Sequence, residues 1–172
     1  MNSHELYKIM KGKLGDSFIG VFPSDQVPSY IHEKPCALIC NTDPHTESGE
    51  HWIALYISKE GMGEYFDSYG QYPLHDTIKD FLNNNTIAWK HNSQRLQSDF
   101  TTVCGQYCIV YILHRFLGLS MHGFLRCFTK DFVSNDDMVA SFVHKYFSVS
   151  PNLIDVDFLI IQACRAMKKA FV

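Results

Sequence analysis

What this 172-residue chain lacks limits its class before any motif is considered. Its start, Met1-Asn2-Ser3-His4-Glu5, has no basic segment leading into an apolar run, so no secretory signal is read there. No stretch of roughly 18 apolar residues occurs, and a membrane-spanning helix is not expected. Basic excess is missing too: 15 Lys and Arg stand against 18 Asp and Glu, a net charge of −3. Wide, non-specific binding to nucleic acid needs a basic face that this balance does not supply, although a local patch would escape a whole-chain count. Internal repeats, low-complexity tracts and long linkers are absent, so residues 1–172 are read as one domain.

What is present is globular in character. Hydrophobic residues make up 46% and charged residues 19% of the chain. A domain of this size buries enough apolar surface to fold without disulfides or metals. The six cysteines are Cys36, Cys40, Cys104, Cys108, Cys127 and Cys164. With no secretory signal they are expected to be reduced thiols, and the protein an intracellular enzyme or binding domain.

Leu6, Ile9 and Met10 sit at helical spacing, and Gly12 and Gly15 are expected to end that first helix. The apolar run Cys36 to Cys40 reads as a buried strand, and Asn41 to Glu50 as a loop by its turn residues. His51 to Ile57 reads as a strand. Gly61 and Gly63 mark a turn, and Glu64-Tyr65-Phe66-Asp67 returns as the hairpin partner. A helix is expected from Leu74 to Leu82, ended by Asn83-Asn84-Asn85, and then a strand at Ile87-Ala88-Trp89.

The clearest helix begins near Cys104 and runs to Leu117, with Gly118 as its stop. Its apolar residues cover most of its circumference, as in a helix buried at a domain centre. Ser134-Asn135-Asp136-Asp137 reads as a capping box before a helix through Tyr146, and a last helix is expected over roughly 156–169. Helix, strands, central helix, helices: the order predicts an α+β fold rather than alternating βαβ units.

Several residues could carry chemistry. A thiol is nucleophilic as the thiolate, and the partial positive charge of a helix N-terminus favours that form. Cys104 stands at such a start, followed by Gly105, where a substrate backbone could approach closely. Cys108, one turn later, is expected to be an inert core thiol. His51 opens a strand directly after a polar loop, and Asp67 closes the neighbouring strand. An antiparallel pairing could place the carboxylate on one ring nitrogen while the other faces the thiol. In a regular hairpin this requires Asp67 to pair with Ile53 or another odd-numbered residue. In the polar segment before Cys104, Gln97 or Gln94 could supply an oxyanion donor together with the Cys104 backbone N–H.

The pattern His51-Trp52, Tyr65-Phe66-Asp67-Ser68-Tyr69-Gly70, Gln97 and Cys104-Gly105 resembles the adenain family of adenovirus-type cysteine endopeptidases. Relatives of these enzymes occur in large virus-like DNA transposons, the Maverick or Polinton elements. Asn41-Thr42, the segment from Phe18 to Gly20 and the Cys36-to-Cys40 strand are similar as well, so the likeness covers about Glu5 to Leu117. The resemblance implies a papain-related α+β fold with circularly permuted order: a mixed sheet, a buried helix carrying the nucleophile at its N-terminus, and further helices around it. It implies Cys104 as nucleophile, His51 as base, Asp67 as orienter and Gln97 as oxyanion donor. Trp52 would wall the site, with Gly49 and Gly105 bordering the substrate.

The implied reaction is cleavage after small residues, glycine especially, in precursors of virus-like structural proteins. It would take place in a host cytoplasm or nucleus, or within a particle. The alternative is removal of ubiquitin, SUMO or another ubiquitin-like protein. No cofactor or metal is expected, and the chain should act as a monomer on a polypeptide substrate. A peptide activator is compatible with the resemblance. However, no cysteine lies between Cys40 and Cys104 to hold one by a disulfide, and the acidic balance argues against DNA as a partner. Aspartate at 67 departs from the glutamate of the adenovirus enzymes and matches the proteases of ubiquitin-like proteins. Two rival readings are a structural zinc site, for which the Cys36/Cys40 and Cys104/Cys108 offsets fit no common spacing, and a binding domain in which Cys104 is merely buried.

Overall fold

A computed structural model describes residues 1–147. Ten principal elements follow in chain order: α1 (Ser3–Leu14), β1 (Phe18–Phe22), β2 (Cys36–Asn41), β3 (Trp52–Ile57), β4 (Met62–Phe66), α2 (Asp76–Asn85), β5 (Ala88–His91), α3 (Cys104–Phe116), α4 (Met121–Leu125) and α5 (Phe132–Phe147). The strands form one mixed sheet in the order β1-β2-β3-β4-β5. The two outer pairs, β1/β2 and β4/β5, are parallel, and the inner pairs are antiparallel.

Alternation along the strands divides the core in two. Ala37, Ile39, Ala54, Tyr56 and Phe66 face α1, α3, α4 and α5. Cys36, Leu38, Cys40, Ile53, Leu55 and Tyr65 face the other way, onto Ile78, Phe81 and Leu82 of α2. Both faces of the inner sheet are covered, and all six β2 residues are buried. On α3 every residue from Tyr107 to His114 is buried, as its all-round apolar sequence predicts.

The structure moves several expected boundaries. Gly12 lies within α1, and the chain leaves that helix at Gly15, whose φ is 54°. Gly63 is inside β4 rather than in the turn, paired with Ile57 and Trp89, and it is glycine because a Cβ there would sit 2.6 Å from Thr86 Cγ2. Helix α2 begins at Asp76, not Leu74, and absorbs the three asparagines. Asn85 can end it because its side chain donates to Phe81 O and Ser29 O and accepts the Ile31 N–H. The segment Ser134 to Asp137 is no capping box. Helix α5 starts at Phe132, and the Asp131 carboxylate accepts both the Ser134 N–H and its hydroxyl. That frees Asn135 and Asp136 for contacts elsewhere. The helix expected over 156–169 lies outside the described residues.

Candidate active site

The site lies at the end of the sheet from which β3 enters and β4 leaves. His51 is the residue just before β3, and Asp67 the one just after β4. Ala54 pairs with Phe66 and Leu55 with Tyr65, so continuing the ladder sets Asp67 opposite Ile53. This is the odd-numbered register that brings Asp67 and His51 to one face. Their side chains meet: His51 Nε2 lies 2.8 Å from Asp67 Oδ1. With Nε2 committed to the carboxylate, Nδ1 is the nitrogen left for the thiol.

Asp67 is held tightly. Its Oδ1 also accepts the Tyr69 N–H at 2.7 Å. The Asn92 amide brackets its backbone, accepting the Asp67 N–H at 2.9 Å and donating to the Asp67 carbonyl at 2.6 Å. Gly70 completes the turn at φ 71°. A Cβ there would meet the Gln94 carbonyl carbon at 2.8 Å, so both conformation and space call for glycine. The Tyr69 ring lies 4.8 Å from the imidazole, and the Arg95 guanidinium caps Tyr69 at 5.4 Å.

Cys104 arrives from the other layer, at the first residue of α3 and only 6% exposed. Val103 precedes it with no side-chain cap, whereas Asn2 caps α1 and Ser120 caps α4. The first N–H groups of α3 are therefore available to an anion. Burial would raise the thiol pKa, but hydrogen bonds from His51 and from the Trp52 and Gly105 N–H groups outweigh it and bring it below its ordinary value. Burial likewise opposes a charged His51, yet its bonds to Asp67 and Cys104 push it up to about 9. Both shifts run in the direction that favours a thiolate–imidazolium pair over the neutral thiol and imidazole.

Gln97 and Gln94 part company. Gln97 is fully buried; its Oε1 accepts the Ser68 hydroxyl at 2.7 Å, and its Nε2 donates to the Thr101 carbonyl at 3.0 Å. It thus bridges the Asp67 segment and the approach to Cys104. Gln94 is exposed and reaches the Leu125 carbonyl at 3.3 Å, on the side of α4.

Trp52 packs in the core beside α1, with its indole N–H donating to Met1 O. Gly49, Trp52, Asn41 and Ser48 help to line a recess of about 420 Å³. A second recess, of about 290 Å³, lies against His51, Asp67, Tyr69 and Tyr72. At Gly105 the missing side chain makes room for Leu6, Trp52 and Met1, at 3.2 to 3.5 Å from a virtual Cβ. The absent side chain thus lets Leu6 and Trp52 pack closely against the start of α3.

Sequence reasoning gave no individual role to Tyr69, Asn92 or Ser68, which hold His51, Asp67 and Gln97 in place. Asn92 and Ser68 offered a weak signal, as polar residues in segments bordering predicted strands. Cys36, Cys40 and Cys108 are unlike Cys104. Burial pushes Cys36 up to about 11, Cys40 up to about 12, and Cys108 well above the thiol range. Among the described residues no group of three or more His, Cys, Asp or Glu side chains is placed to hold a metal ion, and no helix is long and apolar enough to cross a membrane.

A thiol on an uncapped helix N-terminus, paired with a histidine that a buried aspartate orients, is the arrangement of the cysteine proteases, and the chain is a homologue of one. Its curated relatives include the SUMO-1 cysteine protease of African swine fever virus, in more than one isolate, 26% identical over 147 residues. The alignment covers 72% of this chain and 47% of those proteins, so the chain spans about half the length of the curated relatives it matches. The crystal structure of the African swine fever virus protease is 26% identical, with a TM-score of 0.42, over 62% of this chain and 44% of that one. The central domain of an uncharacterized Legionella pneumophila protein is 16% identical, with a TM-score of 0.44, over 100% of this chain and 98% of that one. No family model matches the sequence.

Proposed function

We propose that this chain is a cysteine endopeptidase in which Cys104 is the nucleophile, His51 the acid and base, and Asp67 the orienter. The observation that carries the reading is the His51–Asp67 contact at 2.8 Å, with His51 near enough to Cys104 that each shifts the other's proton affinity towards the charged pair. The Cys104 thiolate adds to the scissile carbonyl, and the carbonyl π electrons move onto oxygen. The imidazolium protonates the leaving amine, and a thioester remains. Neutral His51 then takes a proton from water, whose oxygen attacks the thioester carbonyl; collapse releases the carboxylic acid product and restores the thiolate and the imidazolium. Gln97 Nε2 carries two protons, of which Thr101 engages one. The second, with the Cys104 backbone N–H, would meet the oxyanion in a water-excluded position.

The substrate reading is cleavage after small residues, at glycine-containing sites in structural precursors of a virus-like element such as a Maverick or Polinton transposon. The recess beside Gly49 and Trp52 suits a slender chain. A second reading, removal of a ubiquitin-like protein, is favoured by the African swine fever virus relatives that are known as SUMO-1 cysteine proteases. The test is to assay the 172-residue chain and its Cys104→Ala variant on a glycine-containing peptide library and on ubiquitin and SUMO fusions. Turnover by the wild type alone supports the reading, and the preferred substrate separates its two forms. Full activity of Cys104→Ala would overturn it.

Activation by a disulfide-linked peptide is not expected. Cys36 and Cys40 are buried in β2, with thiols pushed far above neutrality. Turnover should be measurable under reducing conditions without any peptide, and DNA should add little at physiological salt, given the net charge of −3. Dependence on DNA that vanishes with salt would show that a local basic patch prevails over the whole-chain balance.

A further inference from the structure

The segment that joins the sheet to the nucleophile, residues 96–103, is gripped from both sides. From the sheet side the Ser68 carbonyl accepts the N–H groups of Leu96 and Gln97, and the Ser68 hydroxyl fixes the Gln97 amide. From the other side the grip comes from the first turns of α5. The Asp136 carboxylate is 1% exposed. Its Oδ2 accepts the Ser98 N–H at 3.1 Å, the Ser98 hydroxyl at 2.7 Å and the Thr101 hydroxyl at 2.7 Å. Its Oδ1 accepts the Tyr107 hydroxyl at 2.9 Å, from one turn inside the nucleophile helix. Next to it the Asn135 amide donates to the Leu96 carbonyl at 3.0 Å.

A buried carboxylate with no cation within salt-bridge distance among the described residues is costly unless its lone pairs are filled. Here neutral donors fill them, and three of the four come from the loop. The charge strengthens each bond, and Thr101, whose carbonyl holds Gln97 Nε2, is fastened through its own hydroxyl to the same oxygen. A carboxylate is suited to this task because one oxygen can accept from several donors that converge on it.

We propose that Asp136 is a positioning residue for the reaction: it sets the geometry of residues 96–103, and through Thr101 it holds the Gln97 amide where the oxyanion forms. The assignment rests on the thiol-protease reading. The His51–Asp67 pair does not touch Asp136, so thiolate formation and oxyanion stabilisation should separate when Asp136 is changed.

Two reactions of Cys104 read these two properties apart. With iodoacetamide a sulfur–carbon bond forms as iodide leaves, which needs the thiolate and no oxyanion. With p-nitrophenyl acetate the thiolate adds to the carbonyl carbon and the π pair moves onto oxygen. Collapse then expels p-nitrophenolate and leaves an acetyl thioester. In the full chain, Asp136→Ala should slow acetylation about tenfold or more while alkylation stays within about twofold. Asp136→Asn, which keeps the shape and one acceptor oxygen, should recover most of the loss. Combined with Gln97→Ala, Asp136→Ala should add little, because both act on one donor.

Should Asp136→Ala fail to fold, the double variant Ser98→Ala/Thr101→Val removes two donors from the loop side and should show the same selective loss. Equal slowing of both reactions, no slowing of either, or full additivity with Gln97→Ala would overturn the proposal. Persistent acetylation of Cys104→Ala would instead sink the nucleophile assignment, a separate outcome.

Discussion

Cys104 and Cys108 sit one turn apart on the same helix, and both are nearly buried, at 6% and 1% exposure. Burial disfavours the thiolate at each. At Cys108 the negative charges of Cys104, Asp67 and Cys40 add to burial, and the single backbone hydrogen bond that works against it is too weak to offset it. At Cys104 the helix has only begun. The Gly105 N–H, the Trp52 N–H from β3 and the His51 ring all turn towards the sulfur, and its pKa moves the other way. Residue type and burial are alike in the two positions, so reactivity comes from the end of an element rather than its middle.

The broadest attempt to break this contrast is competitive labelling. Iodoacetamide on the folded chain at pH 7 should modify Cys104 at least about 1,000 times faster than Cys108, since one thiol titrates below its usual range and the other far above it. Peptide mapping of the alkylated sites measures the ratio, and comparable labelling would mean that the helix start confers no advantage.

The two glutamines offer a similar contrast within the approach segment. Gln97→Ala should lower kcat about 100-fold with little change in KM, as expected of a donor used mainly in the transition state. Gln94→Ala should be nearly silent, because its amide reaches only the Leu125 carbonyl from an exposed position. Steady-state kinetics on both variants decide the matter, and the reverse ranking would move the oxyanion role to Gln94.

Much of this was legible in the sequence, for physical reasons that differ by residue. The α3 start, the β3–β4 hairpin and the burial of β2 follow from local periodicity and turn residues, which need no tertiary knowledge. The meeting of His51 with Asp67 needed one further fact, the strand register. Hydrophobic alternation constrains this but the turn decides it. Asp136 was out of reach. Its partners Ser98 and Thr101 lie 38 and 35 residues away, and the run Ser134 to Asp137 imitates a helix cap closely enough to hide the real one at Asp131. Tyr69 was visible only as part of a motif, because stacking on an imidazole leaves no local pattern.

The pH profile sharpens the account of how Cys104 differs. His51 is raised in the folded chain from 6.5 to about 9. The stability that its charged form contributes is therefore complete below pH 6.5 and declines as pH rises through about 9. Cys104 is lowered, so the thiolate is lost only as pH falls below its reduced value. The plot of kcat/KM against pH should be a bell with an alkaline limb near 9. Asp67→Asn removes the charge that helps hold the proton on His51, and should draw that limb down by about one unit or more. An alkaline limb that stays in place in Asp67→Asn would mean that Asp67 orients the ring without tuning it.

The smallest expected effect belongs to Cys108 itself, and it completes the comparison from the inert side. Its sulfur is packed in the larger of the two core clusters, among side chains of α3 and the sheet face that carries Ala54 and Phe66. Cys108→Ala removes one polarizable atom and leaves a gap smaller than a methylene chain would, so the loss should be about 1 kcal/mol of folding stability. Turnover should stay within about twofold, since no hydrogen bond to the catalytic groups is removed. Urea unfolding gives the first quantity and peptide hydrolysis the second. If Cys108→Ala instead lowered kcat sharply at little cost in stability, the middle of α3 would be transmitting to its end. The reactivity of Cys104 would then depend on core packing one turn below it, and not on the helix start and His51 alone.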